Sequence, residues 1–438
     1  MNQFKYVYCI VLTVLFTSCV TMADYNYRRI DQNISDGNYS EVYAELETAS
    51  SFLYGQHDEV LNYLDKGLVA HYVGDYELSN SNLSQAEKLI QTYYAKSITQ
   101  NMSSMLINDT VIDYSGDPYE DIYLNIIMAL NYLELEKFDD AFVEIRRFEN
   151  KLKEISVQYQ VELEKQKKEL KENSSYVPSV EVKFHNSAFA RYLSMLLYRT
   201  EGDLDSALVD YKKIEQAFSL QPSLYNFPIP STLEEELSVP ESMCRLNFIS
   251  LTGLAPLKKE ILDPFYISKS YYRVALPVMY RRESQVDSVS CKITNLQTNE
   301  SFSKRMEKIE SVENIAVDTY SQKYSIVVAR TIRRLFSKLF TSTTLDVLSQ
   351  YSEGDVASLF QLMSLASKFT SAVSERADVR TSRFFPASVY VGGINLEPGS
   401  YNVQVFYKAK NGKILFTSEY TQNVEETKLN LVESFCFN

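Results

Sequence analysis

The stretch from Gly116 to Leu152 constrains this chain most, because it reads as two helices folded back on each other through a tight turn. Asp117 is placed to cap the first helix, Pro118 fits its first position, and Glu120 lies three residues past the cap, where it completes a capping box. Ile122, Tyr123, Ile126, Ile127, Ala129, Leu130 and Leu133 then make that helix apolar nearly all round, the pattern of a helix buried on most sides. Glu136–Asp140 forms the turn. The second helix sets Ala141, Phe142, Ile145, Phe148, Leu152 and Ile155 on one face and Arg146, Arg147 and Glu149 largely off it. A buried helix beside an amphipathic one is half of a helical-repeat scaffold.

A short phrase recurs around this unit. Gly37-Asn38-Tyr39, Gly74-Asp75-Tyr76, Glu136-Lys137-Phe138 and Gly202-Asp203-Leu204 share one form, and Ser79, Ala141 and Ala207 follow the last three as small residues. The phrase resembles the inter-helix turn of tetratricopeptide repeats, and Tyr39 and Tyr76 are 37 residues apart, near the usual period of about 34. Later spacings of 62 and 66 residues imply degenerate intermediate units. The resulting expectation is an α+β chain, mainly α: a tetratricopeptide-like helical domain over 37–221, then a small antiparallel β domain over 244–438 with a helical insertion at about 306–377. Residues 144–173, rich in Lys and Glu without Gly or Pro, read as a long charged helix. Pro222, Pro228, Pro230 and Pro240 mark residues 222–243 as a linker. Beyond it, Arg245–Leu251, Tyr271–Met279 and Asp287–Ile293 read as strands, and Asn411-Gly412 between Tyr401–Ala409 and Ile414–Tyr420 is a strong hairpin signal.

The first 19 residues read as a targeting segment. Val7–Phe16 is apolar but too short to span a bilayer, and Phe16-Thr17-Ser18-Cys19 resembles a relaxed bacterial lipobox. That resemblance implies cleavage before Cys19 and its lipidation, with residues 20–36 as a tether. An ordinary signal peptide with a chance Cys is the alternative. Val20 in place of Asp favours the outer membrane over the inner. Cys244, Cys291 and Cys436 remain in the mature chain, as one disulfide and a thiol or as three buried thiols.

Chemistry is sparse. A net charge of −13 argues against nucleic-acid binding. His57, His71 and His185 have no metal-binding spacing, and phosphate-loop, dinucleotide and nucleophile-elbow motifs are lacking, so neither a cofactor nor an enzyme is expected. Asp113, Asp117, Glu120 and Asp121 suggest a cation site, but capping and the helix dipole explain most of them. Arg330, Arg333, Arg334 and Lys338 share a helix face that suits an acidic partner or lipid headgroups, or internal ion pairs.

Several phrases taken together carry a resemblance: Asp117-Pro118-Tyr119-Glu120, Ala129-Leu130-Asn131-Tyr132, Gly253-Leu254-Ala255-Pro256-Leu257-Lys258, Ala275-Leu276-Pro277, Ala377-Asp378-Val379-Arg380 with Phe385-Pro386, and Pro398-Gly399-Ser400-Tyr401. In this order they resemble a family of uncharacterised bacterial lipoproteins with an N-terminal tetratricopeptide-like region, over roughly residues 35–410. The family has a Trp after the Asp-x-Arg phrase, where this chain has Thr381-Ser382-Arg383. Lys258, Asp378 and Arg380 are the first candidates for an interaction surface, with Arg330, Arg334 and Lys338 beside them. The function expected is an envelope scaffold for an unknown protein partner, anchored through Cys19. A lipoprotein that captures glycans or peptides for uptake, using Tyr faces, is the runner-up, and a cell-wall enzyme the third possibility.

Overall fold

The structure, a computed structural model, describes residues 27–99, 109–170, 181–267, 270–339, 376–426 and 428–438. Helices fill most of the first half: α1 (27–35), α2 (Tyr39–Thr48), α3 (Ser50–Leu53), α4 (Glu59–Val73), α5 (Tyr76–Thr99), α6 (Pro118–Glu134), α7 (Phe138–Leu170), α8 (Ala188–Thr200), α9 (Leu204–Leu220) and α10 (Thr232–Glu236). Strands β1 (Cys244–Leu254), β2 (Leu257–Ile267), β3 (Ser270–Tyr280), β4 (Ser288–Asn295) and β5 (Ser301–Glu310) follow. The long helix α11 (Val312–Leu339) precedes β6 (Pro386–Leu396), β7 (Gly399–Lys408), β8 (Ile414–Val424) and β9 (Asn430–Cys436).

Consecutive helices pair as hairpins, α4 with α5, α6 with α7 and α8 with α9. One device closes all three turns and the bend after α1. The N–H groups of Asn38, Asp75, Lys137 and Asp203 reach back to the carbonyls of Asn33, Ala70, Tyr132 and Tyr198, at 2.8–3.0 Å. Gly37, Gly74, Glu136 and Gly202, one residue earlier, have φ of 79°, 89°, 54° and 80°. This is the Schellman closure, in which a left-handed residue lets the last carbonyls of a helix find donors. The recurring phrase therefore records how a helix stops, a demand shared by every helix hairpin. Within the α4–α5 pair, the Ser79 hydroxyl donates to the Gly67 carbonyl at 2.7 Å, and a Cβ on Gly67 would fall 2.7 Å from Leu83 Cγ. Gly67→Ala gains up to about 1 kcal/mol of helix propensity but forces an overlap costing about 1–3 kcal/mol. Urea unfolding should show net destabilisation.

The sheet overturns the expected architecture. Seven strands form one mixed sheet in the order β8-β7-β4-β5-β6-β1-β9, and its edge strands β8 and β9 come back into contact, so it is a nearly closed barrel. β9 runs parallel to β1, whereas every other paired strand is antiparallel. β2 and β3 form a separate two-stranded ribbon. The barrel encloses its own core, including Leu246, Phe248, Val403 and Val405. A second core is continuous from Ile30 through the helices to Ile249, Leu251, Val391 and Phe437. β1 is buried along its whole length because alternate residues face these two cores. A tetratricopeptide-like domain followed by a small β domain is thus not the arrangement: the helices are the outer layer of a large β structure and share its core.

Local departures have local causes. Residues 27–35, read as tether, are helical because Ile30 and Ile34 are apolar at i,i+4 and bury completely. The linker region contains α10 and buries Leu224, Tyr225, Leu233 and Glu236. Met306–Glu310, read as the start of a helical insertion, belongs to strand β5, and helix begins only at Val312. Residues 340–375, most of the remainder of that expected insertion, lie outside the described residues. Cys244, Cys291 and Cys436 are free buried thiols of the barrel core, and burial pushes the Cys291 thiol up to about 12.

Candidate functional site

Five of the residues singled out in the sequence, Asp117, Glu120, Lys258, Asp378 and Arg380, gather at the N-terminus of α6. Asp117 caps this helix, and the Glu120 carboxylate accepts from the Asp117 N–H at 2.7 Å to complete the box. The Asp117 side chain is turned at the same time toward two lysines. Lys258 Nζ on β2 lies 3.1 Å from both its oxygens, and Lys323 Nζ on α11 lies 2.8 Å from Oδ1. Arg380 binds Asp378 in a two-pronged contact at 2.8 and 2.9 Å, and its other arm reaches Asp58 at 3.1 Å and the His57 carbonyl at 3.2 Å. The ring of Tyr114 stands among them, 5.3 Å from Lys258 Nζ, 5.4 Å from Lys323 Nζ and 5.3 Å from the Arg380 guanidinium.

The electrostatics follow from burial set against pairing. Burial alone would push the Asp117 carboxyl up, but the Lys258 and Lys323 charges overcome it and hold the group below its ordinary value. Glu120, equally buried and facing the Asp117 charge, is pushed up to about 7 despite Lys258 and the Tyr114 hydroxyl that donates to it at 2.6 Å. Asp378 is lowered, because its bonds to Arg380 and the Lys258 charge outweigh its burial. Three cations thus stand among four carboxylates, Asp117, Glu120, Asp378 and Asp58, and every charge has an internal partner.

The cluster continues along residues 377–385, an irregular segment that bonds to the helical layer residue after residue. Glu260 accepts from the Ala377 N–H at 2.6 Å, and Glu120 Oε1 from the Ser382 N–H at 2.6 Å and the Thr381 hydroxyl at 3.1 Å. Asp65 accepts from the Ser382 hydroxyl at 2.6 Å, and Arg383 pairs with Asp31 at 2.6 Å. The Tyr72 hydroxyl donates to the Phe384 carbonyl at 2.7 Å. The arrangement straps α1, α4, α6 and the ribbon to the strand entering β6. Its chemistry is that of charge-assisted binding of one chain segment by another.

The other candidates lie elsewhere. Arg330 on α11 pairs with Glu162 of α7 at 3.3 Å, and Arg334 is buried with Nη2 donating to Thr331 at 3.2 Å. The side chain of Lys338, and Cys19 altogether, lie outside the described residues. The four acids near α6 divide between partners: Asp113 pairs with His57 at 2.8 Å and Asp121 with Lys151 at 2.7 Å. Among the described residues no group of three His, Cys, Asp or Glu side chains is placed to hold a metal ion. Sequence reading missed Tyr114, Lys323 and Asp58, whose contacts span up to 322 residues and leave no local signal. No known protein family, curated protein or solved structure matches this chain.

Proposed function

We propose that this protein is a non-enzymatic lipoprotein of the bacterial cell envelope, anchored through Cys19, that holds a protein partner in envelope assembly or maintenance. The observation that carries this reading is the reach of α7. It has 33 residues, about 50 Å of helix, against 17 residues in its hairpin partner α6. Its distal half therefore runs on past α6, where α11 meets it through Arg330 and Glu162. On that distal half Val157 and Val161 share one face at i,i+4 and are 63% and 66% exposed. A long helix packed on α11 along one side, with two exposed valines on another, suits an amphipathic partner helix laid against it. The Phe16-Thr17-Ser18-Cys19 phrase supports the anchor. The glycan-binding alternative draws on the abundance of Tyr, and Tyr119, Tyr123, Tyr192, Tyr401 and Tyr407 are fully buried.

Site-specific photocrosslinking in intact cells tests the proposal. A crosslinker at position 157 or 161 should capture the same envelope protein reproducibly, and one at the exposed Thr417 of β8 should not. Cys19→Ala should abolish radiolabelled palmitate incorporation and the adduct together. Absence of adducts from both positions 157 and 161, or palmitate labelling that survives Cys19→Ala, would overturn it.

A further inference from the structure

β9 is held by a hydrogen-bonded ladder to β1 on one side and by its outward side chains on the other. Phe435 of the strand and Phe437 just past it rest on α2 and α4: Tyr72 packs 5.0 Å from Phe435 and 4.6 Å from Phe437, and Tyr39 lies 6.2 Å from Phe435 and 5.9 Å from Phe437. Amid this apolar contact stands a charged group. His71 of α4 is 0% exposed; its Nδ1 lies 2.7 Å from Asn131 Oδ1 of α6, and its Nε2 lies 3.3 Å from Glu433 Oε1 of β9.

The Asn131 amide is oriented by its other end, which donates to Ser79 Oγ and Asn80 Oδ1, both at 2.8 Å. Oδ1 is therefore the atom presented to His71. Both ring nitrogens face oxygen acceptors, and only the imidazolium can donate from both at once. Glu134, three residues on from Asn131 along α6, is the second carboxylate facing the group. The remaining titratable groups around it are phenols: Tyr72 on α4, Tyr76 at the start of α5 and Tyr420 on β8. Two carboxylates from two elements thus share one buried imidazolium. Among the described residues the second oxygen of Glu433 has no hydrogen-bond donor.

We propose that His71, Glu433 and Glu134 form a proton-operated latch, which holds the C-terminal strand on the helical layer at neutral and lower pH and releases it as pH rises. Loss of the imidazole proton turns one of the two contacts into a lone pair facing a lone pair. It also leaves Glu433 and Glu134 facing each other with no cation between them. The direction follows from both groups. Burial works against the charged imidazole, but Glu433 and its hydrogen bonds outweigh it and raise His71 above its ordinary value. Burial and then the Glu433 charge push Glu134 up to about 7. The folded state binds more protons than the unfolded chain at both sites, so the stabilisation is full at low pH and is lost as pH climbs through these values. β9 can loosen alone because it sits at the sheet edge.

Hydrogen exchange on the full chain, corrected for intrinsic rate, tests the latch and stands apart from the scaffold reading. Between pH 6.5 and 8.5, peptides covering residues 429–438 should lose about tenfold in protection, the equivalent of one pKa unit of coupling. Peptides from β4 and β7 should not change. Glu433→Gln should remove the pH dependence, and Glu134→Gln, which takes away a charge that raises His71, should move it to lower pH. Unchanged protection in the wild-type protein, or the same loss in Glu433→Gln, overturns the proposal. If Glu433→Gln fails to fold, the imidazole resonances of His71 decide: a charged ring at pH 7 supports the latch, and a neutral one ends it.

Discussion

Asp117→Asn should cost about 3–5 kcal/mol of folding stability, one of the two largest losses expected of any single substitution here. Asn is as good an N-cap as Asp, so the substitution spares α6 its cap and removes only the charge. What remains is Lys258, whose side chain is 3% exposed, beside Asp378, which Arg380 already engages, and Glu120, whose oxygens already accept from Tyr114, Thr381 and Ser382. A cation in that position keeps its desolvation penalty and loses its compensation. Lys323 is 20% exposed and can swing toward water, so Lys323→Met should cost less, about 1 kcal/mol. The double variant Asp117→Leu, Lys258→Met removes both buried charges and should recover most of the loss, since a buried pair replaced by apolar groups is often neutral. Urea unfolding at pH 7 measures all three. A cost under about 1 kcal/mol for Asp117→Asn would mean that the cluster is more hydrated than its burial indicates.

What could be read from the residues alone was whatever depends on near neighbours. The capping box at Asp117 and Glu120 forms as its spacing demands. The Asn411-Gly412 hairpin joins β7 to β8, with Gly412 at φ 81°. The four turn phrases each end a helix. Reading those phrases as a repeat period was the error, because cap chemistry is local and says nothing about what the helix pair packs on. Strand β5, Ser-Phe-Ser-Lys-Arg-Met-Glu-Lys-Ile-Glu, is mostly polar at its start and resembles a charged helix; only its far end, at Ile309 and Glu310, is buried on the shared core. β9 is seven residues long, and its parallel pairing with β1 spans more than 180 residues, which no local pattern announces. Lys258, Asp378 and Arg380 stood out in sequence, and they do come together. Their partners Tyr114, Lys323 and Asp58 were invisible for the reason β9 was: they are neighbours only after the sheet closes under the helices.

The same logic of buried acceptors makes Glu310 the other position where one side chain should matter most. It ends β5, is 0% exposed, and accepts from the hydroxyls of Tyr123, Ser187 and Tyr225 and from the Phe189 N–H. These donors belong to α6, to α8 and to the segment after α9, so one carboxylate ties three parts of the helical layer to the barrel. Glu310→Leu fits the apolar surroundings but strands four buried donors. At about 1 kcal/mol or more for each, the loss should reach about 4 kcal/mol. Glu310→Gln separates charge from geometry. Burial pushes the Glu310 carboxyl up against the donors that pull it down, so the site does not demand a full negative charge. The Gln carbonyl keeps up to two of the four bonds, while its amide nitrogen meets donors it cannot accept from. Its cost should therefore fall near half that of Leu. Tyr123→Phe removes one donor and leaves the acceptor three, so it should cost about 1 kcal/mol. Urea midpoints give the order Leu, Gln, Phe. A reversal of Leu and Gln would show that shape, rather than donor satisfaction, governs the join between helices and barrel. Hydrogen exchange adds the location, since Glu310→Leu should release the first turn of α8 before any strand of the barrel interior.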